Sequence, residues 1–161
     1  MQSSVISQRT AVDVLERQFA VLVDTLRTLT RSVPANLLYK QPPSLTIGEN
    51  ILKSAGVVEQ TFGGITTNLW DDPFEWTLPE TLSTSAHILE YLAEVETTMS
   101  KGFASFVNDE TLLKFIALPS GDSRRLLEVL IETLSRAYDY RGQAFATLKM
   151  LSAASAPGFI I

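Results

Sequence analysis

Apolar residues recur at alternating steps of three and four along most of this chain, and that period dictates helices. Val12, Leu15, Phe19, Leu22, Leu26, Leu29 and Val33 keep it without a break. Such spacing puts side chains on one stripe of an α-helix, with Asp13, Glu16, Arg17, Asp24 and Arg27 off the stripe. Pro34 stops the helix, since its ring removes a backbone N–H. The stretch from Ala35 to Leu45, with Pro42-Pro43, reads as a loop. A second helix opens at Ser44 or Thr46, and Thr46 with Glu49 has capping-box spacing. Ile47, Ile51, Ala55, Val58, Phe62, Ile65 and Leu69 continue it. Gly56, Gly63 and Gly64 cost this helix about 1 kcal/mol each against Ala. Close approach of a neighbouring helix explains them, or a bend at Gly63-Gly64.

Trp70 to Pro79 is a connection rich in aromatics and prolines. A third helix spans about Ser83 to Phe106, with Ile88, Leu92, Val95, Met99, Phe103 and Phe106 inward. Asn108 to Asp122 is a second long connection. Its apolar run, Leu112 to Leu118, is either a short helix or an extended segment over the core. The fourth helix starts near Asp122 or Ser123, both good N-caps. Leu127, Leu130, Leu134, Ala137, Ala144, Leu148 and Leu151 mark its stripe, and Arg141 falls on the same seam. The apolar C-terminus, Ala-Pro-Gly-Phe-Ile-Ile, is expected to dock on its own helices or on a second subunit. The predicted architecture is all-α, one domain over residues 1–161, a four-helix bundle. Its connections exceed the usual hairpin length of about 2–8 residues. They therefore permit crossovers.

Composition removes several function classes. With no cysteine and one histidine, His87, the chain builds no disulfide, thiolate nucleophile, zinc finger or multi-imidazole site. Net charge −5 and scattered Lys and Arg argue against nucleic acid as a partner. No stretch reaches the roughly 18 apolar residues of a membrane span. The N-terminus lacks the basic start and apolar run of a signal peptide. A cytoplasmic protein is expected.

The segment Arg136-Ala137-Tyr138-Asp139-Tyr140-Arg141-Gly142-Gln143, followed by an apolar helical run, resembles the fourth helix of the DinB/YfiT-like superfamily of four-helix putative metalloenzymes. The family signature there is His-x-x-x-His-Arg-Gly-Gln. Ser44 to Glu59 looks like the family's second helix, in which a metal-binding His precedes an Ala and a Glu. Leu151 to Phe159 resembles its Pro-containing tail. The resemblance implies a divalent metal held by three His, one on helix 2 and two on helix 4. Here those positions hold Arg136 and Tyr140, and Lys53 or, one residue on, Ser54. Arg and protonated Lys offer no lone pair, and Tyr is a rare ligand for zinc or nickel. The expectation is a member without the metal site and without a cofactor.

Glu59, Arg141 and Gln143 are what remains of the family pattern. They form either a polar pocket between helices 2 and 4 or a structural network in which Glu59 pairs with Arg141. Lys53, Arg136 and Tyr140, if they converge, make a cationic pocket for a small anion such as a carboxylate or phosphate. Otherwise they fill volume or snorkel to solvent. Trp70, Phe74, Trp76, Phe103, Phe106 and Phe115 either line a ligand pocket or dimer contact, or pack. The leading expectation is thus a metal-free small-ligand-binding or structural bundle. The alternative is a transferase- or hydrolase-type enzyme using non-His metal ligands or a metal-free acid–base site at Glu59, Asp139 and Tyr140. A homodimer is implied by the resemblance.

Overall fold

The computed structural model describes residues 8–75 and 80–152. Four long helices carry the fold: α1 (Thr10–Ser32), α2 (Ile47–Thr67), α3 (Ser85–Ala104) and α4 (Leu126–Leu151). Short 3₁₀ turns lie at Glu80–Leu82 and Asp109–Leu113. Strands β1 (Phe115–Ala117) and β2 (Ser123–Arg125) pair antiparallel, with Ile116 opposite Arg124. The chain is mostly helical, as the periodicity requires. No helix among the described residues is long and apolar enough to cross a membrane.

The helices form a ring in the order α1, α3, α2, α4, each packed chiefly on its two neighbours. The pairs α1–α2 and α3–α4 therefore face each other across the diagonal. The connections before α2 and before α4 each link helices on a diagonal. Phe19, Phe62 and Phe103, from α1, α2 and α3, are fully buried and meet in the middle. Their ring centroids are 5.1–5.5 Å apart. Leu130, Ala137, Ala144 and Leu148 close the core from α4. The predicted α1 stripe is buried apart from Leu15, which is half-buried.

Local signals account for most helix ends. Thr46 caps α2: its hydroxyl accepts from the Glu49 N–H, and the Glu49 carboxylate accepts from the Thr46 N–H at 2.6 Å. Thr84 caps α3 by accepting from the His87 N–H. Arg9, just before α1, reaches the carbonyls of Phe103 and Phe106 at the C-terminal end of α3, where the helix dipole favours a cation.

Three expectations are corrected. Helix α4 starts at Leu126, not near Asp122 or Ser123, because those residues are used by the hairpin. Ser120 donates to the Asp122 carboxylate, the Leu118 N–H donates to the Asp122 carbonyl, and Gly121 takes φ +87° to close the turn. The run Leu112 to Leu118 is neither one helix nor one extended piece: a 3₁₀ turn leads into β1. The α2 glycines lie inside one continuous helix, and connecting loops, not a neighbouring helix, cover them. A Cβ at Gly56 would lie 2.9 Å from the Phe74 ring, one at Gly63 2.9 Å from the Leu69 carbonyl, and one at Gly64 would overlap the Trp70 indole. Leu69 lies beyond the helix and is exposed. The C-terminal segment 153–161 and Trp76 lie outside the described residues.

Candidate functional site

Two hydroxyl contacts hold the seam between α2 and α4. Ser54 is fully buried and donates to the Ala137 carbonyl at 2.6 Å. Two turns further on, the Thr61 and Thr133 hydroxyls meet at 2.7 Å, and Thr133 also donates to the Val129 carbonyl at 2.8 Å. Residues rise on α2 as they fall on α4, so the two helices run antiparallel.

Beside the threonine pair a cleft of about 230 Å³ opens. Its walls come from Gln60, Trp70, Pro119, Arg124, Glu132 and Arg136, with the threonines between them. The loop after α2 thus supplies one wall, the hairpin a second and α4 a third. Trp70 is held on three sides. Its ring covers Gly64, its Nε1–H donates to Asn68 Oδ1 at 3.2 Å, and its carbonyl accepts from Gln60 Nε2 at 2.9 Å. Asn68 itself takes φ +57° at the α2 C-cap, and this turns the chain back over the helix. Arg124 is bonded to Glu132 and lies 4.0 Å from Glu128, and the Glu132 hydrogen bond pushes its pKa up. Arg136 is exposed and makes no hydrogen bond or ion pair among the described residues.

The sequence-derived candidates separate. Arg136 lines the cleft. Tyr140 sits one turn further along α4, half-buried. Ser54 is the seam residue, and Lys53 beside it is half-buried. Glu59 belongs elsewhere: it accepts a hydrogen bond from the Tyr91 hydroxyl of α3. With Phe74, His87, Glu90 and Glu94 it lines a second cleft, between α2 and α3. Burial and the bond to Glu59 push the Tyr91 pKa up, so this phenol stays a donor. Arg141 is half-buried, with its guanidinium 5.1 Å from the centre of the Tyr138 ring. Gln143 is exposed and donates to Asp139 at 3.0 Å. The acid–base grouping of Glu59, Asp139 and Tyr140 is thus spread over the α3-facing cleft and the outer face of α4.

Of the aromatic set, Phe74, Phe103 and Phe106 are buried, Phe115 is exposed beneath the Arg125 guanidinium, and Trp70 lines the cleft. Gln60, Arg124, Glu132 and the two threonines escaped sequence reasoning. One trace existed: a glycine inside a helix, Gly64, with a large ring six residues on. Among the described residues, no three His, Cys, Asp or Glu side chains come together as a set able to hold a metal ion. No protein-family model matches the chain, and no curated protein matches it.

Proposed function

We propose that this chain is a DinB/YfiT-like bundle whose groove between α2 and α4 binds a small anion directly, without a metal. One observation carries this reading. Arg136, at a position where the family's signature has a histidine, lines a cleft and brings a guanidinium with no carboxylate partner among the described residues. A guanidinium at a partly enclosed site recognises carboxylate or phosphate through charge-assisted hydrogen bonds. Gln60 and the threonine hydroxyls supply further polar contacts. Tyr140 and Lys53 lie outside the lining of this cleft, and Ser54 ties its helices together. Glu59, Arg141 and Gln143 act as structural residues in this reading.

A homodimer belongs to the same proposal. It draws support from exposed apolar side chains on the outer helix faces, Val14 and Val21 on α1 and Ile131 and Met150 on α4. Light scattering during size-exclusion chromatography reads the mass directly.

The test of the binding reading combines metal analysis with thermal shift. Purified tag-free protein, incubated with zinc, nickel or manganese and desalted, should retain far less than one metal per chain. Millimolar phosphate or acetate should raise its melting temperature, and Arg136→Ala should remove most of that rise. Stoichiometric metal, or stabilisation that survives Arg136→Ala, overturns the proposal.

A further inference from the structure

The α2–α4 cleft is divided by chemistry. Trp70, Leu118, Pro119 and Val129 make an apolar side, while Arg124, Arg136, Gln60 and the threonine pair make a polar one. Its volume of about 230 Å³ lies below the roughly 300–1,000 Å³ of pockets for drug-sized ligands. A nucleotide does not fit. The charges nearly cancel: Glu132 is already bonded to Arg124, which leaves Arg136 as the one net positive charge. A phosphate dianion would meet Glu132 and would leave the indole without a contact. A monoanion with an apolar body matches both sides.

The indole also selects shape. Trp70 is fixed by Gly64, Asn68 and Gln60, so a ligand stacking on it pays little ordering cost. Flat rings gain offset-stacking energy on an aromatic face beyond their area burial. Resting on the anion-binding reading above, we propose that the ligand of this cleft is a monocarboxylate carried on a single flat ring. The ring lies against Trp70 and the carboxylate on Arg136. Leu118 and Pro119 of the hairpin turn line the same cleft.

The test uses the full chain carrying Trp76→Phe, which leaves Trp70 as its only tryptophan. Benzoate, cyclohexanecarboxylate, acetate and phosphate are titrated at low salt while Trp70 emission is followed. Ligand-observed saturation-transfer NMR on the unmodified chain, with phosphate followed by its competition against benzoate, reads the same contrast and covers failure of the variant to fold. Benzoate should change the emission and bind about tenfold or more tightly than the other three, an increment of the size expected for a good aromatic contact. Arg136→Ala should weaken benzoate about tenfold, and Arg136→Lys less. Acetate or phosphate binding as well as benzoate, and still lost in Arg136→Ala, overturns the ring proposal and leaves the anion reading standing. Benzoate binding unchanged in Arg136→Ala overturns the placement of the carboxylate. Absence of binding by all four removes both readings.

Discussion

The hydroxyl of Ser54 on α2 donates to the main-chain carbonyl of Ala137 on α4, 2.6 Å away, with Ser54 fully buried. That carbonyl sits mid-helix and keeps its own helical bond. Ser54→Ala therefore loses one net hydrogen bond and leaves no orphaned group. The expected loss is about 1 kcal/mol, read from urea denaturation midpoints. Ser54→Val should cost more, because overpacking a tight seam adds roughly 1–3 kcal/mol.

Two glycine-to-alanine changes should act in opposite directions. Gly142 lies on α4 with open space where a Cβ would stand. Gly142→Ala should stabilise by about 0.5–1 kcal/mol through helix propensity alone. At Gly64 the same gain is outweighed, because the new methyl occupies the place of the Trp70 indole. Gly64→Ala should lower the melting temperature and shift Trp70 emission to the red as the ring leaves its seat. A blue shift or a rise in melting temperature would mean that the indole repacks without strain.

Phe62 holds the centre of the core, in ring contact with Phe19 and Phe103 and seated over Gly102. Phe62→Ala should cost about 3–5 kcal/mol, the range for a buried aromatic. Phe115→Ala is the control: the side chain is exposed, so its loss should stay within about 0.5 kcal/mol. Chemical denaturation of the two variants side by side reads the contrast.

Alkaline pH should unfold the protein through its tyrosines. Tyr39 donates its hydroxyl to the Leu82 carbonyl, and burial, aided by Glu49, pushes its pKa up to about 12. Tyr91 is pushed in the same direction, by burial first and then by Glu59. The folded state thus holds these protons more tightly than the unfolded chain, whose phenols titrate near 10. Stability is intact below about pH 10 and falls as pH rises through about 12 for Tyr39. Urea midpoints measured across that window should decline, and Tyr39→Phe should flatten part of the decline. A midpoint that is level from neutral pH to about 12 would rule out this linkage.

Helices were legible because their period is written many times over: the α1 stripe has seven members before Pro34. The Thr46–Glu49 cap was legible because it is local. The hairpin was not. Each of its strands has three residues, too few for alternation to register, and Asp122 and Ser123 look like helix caps until Gly121 is seen to close a turn. The candidate site was half legible. Arg136 stood out by its place in the helix-4 pattern, but its cleft depends on Trp70, Gln60 and Arg124, which come from three separate stretches of chain. Glu59 groups with Arg141 and Gln143 in the sequence because the family pattern sets them on the second and fourth helices. Its direction, toward Tyr91 on α3, follows from helix rotation that sequence spacing between two different helices does not encode.

Helix α2 carries Gly48, Gly56 and Gly64, eight residues apart, and each is covered by a ring: Tyr39, Phe74 and Trp70. Eight residues advance the helix by about 80° beyond two full turns, so the rings arrive from successive directions. None of these rings comes from a helix. The consequence is for how the chain tolerates change. Replacing glycine alone meets a ring, and shrinking the ring alone opens a hole over bare backbone, so each pair drifts only as a pair. Exposed loops are ordinarily where insertions and deletions are accepted, but here the loops on either side of α2 are bound to it in register. Variation in length is therefore expected to fall at the hairpin turn around Ser120 and Gly121, where a Cβ at Gly121 meets nothing within 4 Å.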